Sequence, residues 1–257
     1  MPNFSMQPYP SAVAITGRAS WTPAALESDV ALWLDARSVT SSPGAPVSVW
    51  PDRSGHGRDV SSPQGAVAPV VGSKLLQGHD ALLFDGTEMT VPNLGNDLPL
   101  SAFWVAFPQP QTSSVPYPSY FYVDGSGLRS DARKPMMNGL RDQPGRCTLW
   151  VGTVGHTVSF DPDSPHLGMV RSDLTHGYAA GVNGEAPNTK TQSPGLDPSS
   201  GMGGIGSSSG TCAWGEFLVL SVRTDAQTTQ RIEGYLAHRW NLQSLLPVDH
   251  PHRGKAP

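Results

Sequence analysis

Charge is scarce in this sequence: Asp, Glu, Lys and Arg make up 15% of its 257 residues, against roughly 25% in an average soluble protein. That scarcity excludes a coiled coil, a long-helix protein and a chain kept disordered by its own charge. Seventeen basic side chains face 21 acidic ones, and a net charge of -4 gives no general electrostatic reason to bind nucleic acid. Long apolar runs are missing too. Val30 to Leu34 and Phe103 to Phe107 are a handful of residues each, far below the ~20 that a membrane helix needs. Residues 1–20 hold neither a basic leader nor a long apolar segment, so the expectation is a chain made and used without Sec export. Cysteine is limited to Cys147 and Cys212, neither in a CxxC or zinc-type cluster, which excludes a disulfide scaffold. Both lie in apolar, strand-like runs and read as small buried hydrophobes, their mutual pairing left open.

Glycine and proline, by contrast, are plentiful. The 28 glycines and 25 prolines are about a fifth of the chain, where average usage is about 12%. With 37% hydrophobic residues there is enough for a real core at this length. Together these properties describe a loop-rich, all-β globule.

Residues 1–25 carry Pro2, Pro8, Pro10 and Pro23 with scattered Phe4, Tyr9 and Trp21, and read as an extended arm that lies along its own domain or, in a virion subunit, reaches a neighbouring one. Residues 26–257 form the domain proper. Strand-like runs recur at Val30–Asp35, Val47–Trp50, Ala81–Phe84, Ser101–Phe107, Tyr120–Val123, Cys147–Val151, His166–Arg171, Gly177–Val182 and Ala213–Ser221. Both faces of Leu32-Trp33-Leu34 and Phe103-Trp104-Val105 are apolar, as inside a sandwich. The expected core between the sheets is Trp33, Trp50, Phe84, Phe103, Val105, Leu149, Met169, Phe217 and Val219. Asp85-Gly86, Asp124-Gly125 and Asn183-Gly184 follow such runs and carry hairpin-turn chemistry. The Ser/Gly/Thr/Pro-rich stretch 187–210 reads as a long surface loop or a pair of weak strands.

One helix is expected, at about 225–242. Thr224 and Gln227 fit a capping box, and Asp225 puts negative charge at the helix's positive end. Ile232, Tyr235, Leu236, Arg239 and Trp240 then form one stripe, with Arg239 snorkelling and Pro247 as the stop. Such a stripe has to lie on a sheet.

Four ordered segments carry a resemblance: Leu32-Trp33-Leu34-Asp35-Ala36, Trp50 to Asp59 (WPDRSGHGRD), Leu83-Phe84-Asp85-Gly86, and Ile232 to Leu242 (IEGYLAHRWNL). Leu245-Leu246-Pro247 and His250-Pro251 extend the last of them. The set resembles the concanavalin A-like, laminin-G-like jelly-roll domains of phage and prophage structural proteins, over about residues 30–257. The resemblance implies an all-β, concanavalin A-like jelly-roll β-sandwich with an N-terminal arm and one C-terminal amphipathic helix. It speaks to fold more than to function, because this architecture hosts lectins, hydrolases and inert modules alike.

Catalytic chemistry is not evident. Asp52, Ser54, Gly55 and Gly57 suit an Asx-type turn, with Asp59 accepting donors across the loop. A calcium loop through Asp52 and Asp59 is the alternative, but the EF-hand spacing is absent. The hydrolases of this fold would need Glu-x-Asp-x-x-Glu on a strand. Glu27-Ser28-Asp29 starts that pattern, yet Leu32 stands where the second glutamate belongs. Glu88, Glu185, Glu233 and Glu216 are isolated, and Glu216 reads as a strand-edge carboxylate. Gly204-Ile205-Gly206-Ser207 and Gly201-Met202-Gly203 lack the strand–turn–helix context of a nucleophile elbow or a phosphate loop. His250 and His252 have no third ligand at a fixed spacing. No catalytic, cofactor or metal residue is therefore nominated, and no cofactor is expected.

The expectation is a non-enzymatic virion structural protein, a capsid decoration or a tail or baseplate subunit, assembled in the host cytoplasm. Its partners would be other virion proteins and copies of itself, with no nucleic acid and no membrane insertion. The alternative is a glycan-binding module in which Trp104, Tyr117, Tyr120, Tyr122, Trp150 and Tyr178 supply stacking surfaces. The two overlap if the particle contacts a host sugar.

Overall fold

A computed structural model describes residues 21–94, 100–108, 119–122, 136–139, 146–151, 154–159, 161, 163–173, 177–191, 203–206 and 211–257. In chain order its strands are β1 (Val30–Asp35), β2 (Val49–Trp50), β3 (Val60–Ser61), β4 (Val70–Leu76), β5 (His79–Asp85), β6 (Glu88–Val91), β7 (Leu100–Pro108) and β8 (Ser119–Tyr122). There follow β9 (Met136–Gly139), β10 (Arg146–Val151), β11 (Val154–Ser159), β12 (His166–Asp173), β13 (Gly177–Val182), β14 (Asn188–Lys190), β15 (Gly203–Gly206), β16 (Thr211–Leu220) and a single α-helix, α1 (Ala226–Arg239).

These strands form two antiparallel eight-stranded sheets, a lectin-like jelly-roll β-sandwich. One sheet runs β14-β13-β12-β7-β16-β5-β4, with β1 also paired to β16; the other runs β11-β10-β9-β8-β15-β6-β3-β2. β16 organises the first sheet. Its opening residues, Thr211 to Trp214, pair with β5, and its closing residues, Glu216 to Leu220, pair with β1. Between them the register against β7 shifts at Gly215, a bulge that bends the strand there.

Alternation sorts the side chains of β1 and β16 onto two faces. Leu32 lies opposite Val219 and Leu34 opposite Phe217, on the face that builds the core between the sheets. Trp33 lies opposite Leu218 and Asp35 opposite Glu216, on the outer face under α1. Trp33 is thus buried beneath the helix, not between the sheets as its sequence context suggests. Trp50, Phe84, Phe217 and Val219 are buried as expected. Phe103, Val105 and Met169 are buried too, but their pairing with Leu218, Glu216 and Phe103 puts them with Trp33 on the helix-covered face. The Leu149 side chain lies outside the described residues.

Trp50 is fully buried against Phe84, and its indole nitrogen has no hydrogen-bond partner. Trp50→Ala should therefore cost about 3–5 kcal/mol through the cavity it opens. Trp50→Phe should cost less, because it also removes an unsatisfied buried donor. Thermal denaturation of the two variants checks that order, and equal losses would contradict it.

Several local expectations shift. The N-cap of α1 is Asp225, whose carboxylate accepts from the Thr228 amide at 2.7 Å; that backbone bond holds its pKa down. Thr224 is instead buried, with its hydroxyl 2.8 Å from that of Thr229 and its amide donating to Ser101 Oγ. The helix ends well before Pro247. Asn241 takes a positive φ of 58° and the Leu242 amide reaches back to the Ala237 carbonyl at 2.8 Å, the wrap of a Schellman cap. Asn183-Gly184 does turn β13 into β14. Asp85-Gly86, however, carries the chain from one sheet to the other and makes no hairpin. The stretch 187–210 contains two short strands in different sheets, β14 and the buried β15. Asp124-Gly125 lies outside the described residues.

Within the arm, residues 1–20 lie outside the described residues. Trp21 packs on its own domain: its ring meets Tyr235 edge-on at 6.1 Å and its amide donates to the Pro257 carbonyl. A 3-10 turn then begins at Pro23. Cys212 is buried in β16, while Cys147 stands in β10 of the opposite sheet, its side chain outside the described residues.

Candidate functional site

The loop after Trp50 is a structural turn. Asp52 Oδ1 accepts from the amides of Trp33 at 3.0 Å and Ser54 at 2.9 Å; Oδ2 accepts from Ser54 Oγ at 2.6 Å and the Arg58 amide at 3.0 Å. Asp59 accepts from the Asp52 amide at 2.9 Å. Gly55 and Gly57 take φ of 89° and 67°, values that a side chain would strain. Partial burial acts to raise the Asp52 pKa, but these donors outweigh it and the carboxyl is held below its ordinary value. With four donors seated on it, Asp52 fastens the loop to β1. Among the described residues, no cluster of three or more His, Cys, Asp or Glu side chains is arranged for a metal.

Glu216 is no edge carboxylate. It is fully buried in β16, directly opposite Asp35 of β1, which is equally buried. Its Oε1 accepts from Trp33 Nε1 at 2.7 Å and Tyr235 Oη at 2.9 Å. Its Oε2 accepts from Trp240 Nε1 at 2.8 Å, with Arg239 Nε at 3.3 Å. Asp35 Oδ2 binds both Arg53, at 2.5 Å, and Arg239 Nη2. Arg239 therefore bridges the two carboxylates; it does not snorkel. Burial first, then the facing Asp35, push the Glu216 carboxyl up to about 7, against the pull of Trp240, Trp33 and Arg239. Burial and Glu216 likewise raise the Tyr235 pKa.

A side chain at Gly215 would come within 2.7 Å of Leu76 and 3.1 Å of Trp240. The bulge thus lets the helix seat close enough for Trp240 to reach Glu216. The pair has the residue types of a glycosidase but not the arrangement, since every oxygen faces a donor and the arginines close the outer side. It is the clasp that holds α1 on the sandwich.

An open cleft of about 550 Å³ lies elsewhere, between the β13–β14 turn, one side of α1 and the C-terminal tail. Met169 and Arg171 of β12 contribute to its lining. Glu185, Ala186 and Pro187 contribute from the turn, Thr229, Gln230 and Glu233 from the helix, and Leu245, Pro247, Asp249 and His250 from the tail. Arg171 Nη1 donates to the Thr224 carbonyl at 3.0 Å and Thr229 Oγ1 at 3.2 Å. Burial and the nearby Arg223 lower its pKa while Glu233 opposes them. His250 is a strut. Its Nδ1 accepts from the His252 amide at 3.2 Å, which leaves Nε2 to carry the hydrogen facing Glu233 Oε2 at 3.4 Å. A Cβ on Gly234 would sit 2.3 Å from His252 Cβ, so the tail packs against the helix only because that residue is glycine.

None of these cleft residues was nominated as a site. Glu185 and Glu233 stand as isolated glutamates in the sequence, and His250 and His252 do not share a metal geometry. Of the proposed stacking residues, only the Trp104 side chain is described. Trp104 is fully buried, with Nε1 3.3 Å from His166 Nε2, and burial pushes His166 down to about 3. Tyr117 lies outside the described residues, as do the side chains of Tyr120, Tyr122, Trp150 and Tyr178. Glu27 lies in the turn before β1 and Glu88 in β6.

The architecture defines a lectin-like β-sandwich closed on its outer face by a helix. No protein-family profile matches the chain, and no curated protein sequence matches it. Solved structures do match in fold. One is a botulinum neurotoxin type C whose uptake into cells depends on two ganglioside molecules: 12% identity, TM-score 0.58, 88% of this chain and 53% of that one. Another is the binding domain of botulinum neurotoxin serotype D/C, at 8% identity, TM-score 0.57, 82% of this chain and 53% of that one. A third is the Trypanosoma rangeli sialidase in complex with sialic acid, at 11% identity, TM-score 0.56, 82% of this chain and 33% of that one. The chain spans about half the length of the toxin structures and a third of the sialidase. At these identities the likeness is one of fold.

Proposed function

We propose that this chain is a non-enzymatic glycan-binding module and that the cleft between α1, the β13–β14 turn and the tail is where the glycan sits. The observation that carries this reading is the cleft's lining. At about 550 Å³ it falls in the range of small-ligand sites, about 300–1,000 Å³. Arg171 and Gln230 offer donors, Glu185, Glu233, Asp249 and Gln230 offer acceptors, and Pro187, Leu245 and Pro247 offer apolar surface. A sugar ring presents hydroxyls that both donate and accept around an apolar C–H face, and asks for that mixture. The fold of ganglioside-dependent toxins and a sialic-acid-bound sialidase adds support by analogy. The saturated state of Asp35 and Glu216 supports the non-enzymatic part.

The test is a glycan array, followed by titration of the strongest ligand into wild type and Gln230→Ala. Gln230 is exposed on α1, so the variant should melt like wild type while binding roughly 3–10-fold more weakly, the worth of one hydrogen bond. An array without a specific ligand, or release of free sugar from a bound one, would overturn the reading.

The four ordered motifs support a second, compatible reading: a phage or prophage particle carries the module, beside copies of itself, and the glycan is a host surface sugar. Mass spectrometry of purified particles from the source would find this chain at stoichiometric amounts. Its absence from them would remove the virion reading and leave the glycan module standing.

A further inference from the structure

We infer that the cleft selects against acidic sugars and takes glycans that are uncharged or, better, carry a free amine. This inference rests on the proposed glycan site and goes further by naming the ligand's charge. Within the lining, Arg171 and Glu233 lie close enough to interact electrostatically, so those two charges offset one another. Arg171 is also tied to the helix start through Thr224 and Thr229, and His250 is tied to Glu233. Neither is free to swing out as an anion-binding arm.

The remaining carboxylates are those of Glu185, on the β13–β14 turn, and Asp249, on the tail, both exposed in the cleft lining. Among the described lining residues, no second Arg or Lys balances them. A carboxylated or sulfated sugar entering there meets two like charges, while an ammonium group meets two opposite ones. At partly screened contact distances each such contact changes affinity by a few-fold, so the two together give roughly tenfold. In this respect the cleft would differ from a site built for sialic acid, despite the shared fold.

Three probes of equal length separate the outcomes: chitosan oligomers (free amine), chitin oligomers (acetylated, uncharged) and oligogalacturonate (carboxylated), titrated at low and high salt. Wild type should bind in that order, chitosan roughly tenfold or more above oligogalacturonate, and the gap should narrow at high salt. Glu185→Gln combined with Asp249→Asn changes only exposed side chains and should collapse the gap without lowering the melting temperature. Oligogalacturonate binding as well as chitosan would overturn the charge selection while leaving glycan binding intact. A chitosan preference that survives the double variant would overturn its assignment to this cleft. Failure of all three probes, together with an empty glycan array, would overturn the glycan site itself.

Discussion

Replacing Glu216 by alanine will lower the melting temperature by roughly 10–20 °C. The substitution removes the acceptor for Trp33 Nε1, Trp240 Nε1 and Tyr235 Oη at once, and takes from Arg239 one of its two carboxylates. Each buried donor left without a partner costs about 1–3 kcal/mol, and breaking a buried charge pair from one side costs about 3–5 kcal/mol. These overlap, so about 4–6 kcal/mol is expected, and at this chain length each kcal/mol moves the midpoint by roughly 2–4 °C. Glu216→Gln should be milder, keeping the volume and one acceptor while turning an amide donor toward existing donors.

The same residue sets a pH signature. Its folded-state pKa is about 7 and its ordinary value 4.5. Between those values the folded protein holds a proton that the unfolded chain has released. Its contribution is therefore complete below pH 4.5 and declines as pH rises to about 7. His166 acts in the opposite direction: burial holds it neutral down to about 3, so its contribution is lost as pH falls below its ordinary value of 6.5. The raw wild-type curve will show both effects superimposed. The difference between wild type and Glu216→Gln isolates the glutamate, and it should shrink as pH rises from 4.5 to 7. A difference that grows instead would mean that the donors around Glu216 outweigh its burial.

Ending the chain at Thr224 will abolish cooperative folding. The truncation uncovers the surface against which Ile232, Tyr235, Leu236, Trp240, Leu242 and Leu246 are buried. At about 1.5–3 kcal/mol for each large apolar side chain, the loss matches the whole stability of a typical domain, about 5–15 kcal/mol. It also strips Asp35 and Glu216 of Arg239, Tyr235 and Trp240, leaving two facing carboxylates exposed to each other. The expected product binds a hydrophobic dye and melts without a transition. A truncated chain that folds well and loses only self-association would make the helix an interface element.

How much of this was legible beforehand follows from the range of the interactions. Strands such as Val30–Asp35 and Ala213–Ser221 announce themselves because a run buried on both faces is apolar at nearly every position. The helix stripe and the Asp52 turn are visible because each is a local pattern. The cap moved by one residue because Thr224 and Asp225 are both good N-caps, and only the buried contact with Ser101 decides between them. β15 was hard to place because Gly203-Gly204-Ile205-Gly206 has a single side chain of any size, and its neighbours β6 and β8 supply its reason to be a strand.

Glu216 offered one clue, a carboxylate inside a run apolar on both sides, which demands buried donors. Those donors lie as far as 183 positions away along the chain, beyond any local spacing. The cleft offered no clue, because its walls come from β12, the β13–β14 turn, α1 and the tail, and no one of these is unusual by itself.

The glycan module and its cleft are tested most directly by nuclear magnetic resonance of the isotopically labelled chain, titrated with the strongest glycan from the array. The account predicts saturable shifts at Gln230, Glu185 and Asp249 and in the Arg171 guanidinium, none at the indoles of Trp33 and Trp240, and a glycan recovered intact. Shifts centred on the Trp33–Glu216–Trp240 clasp, or a cleaved glycan, would contradict it.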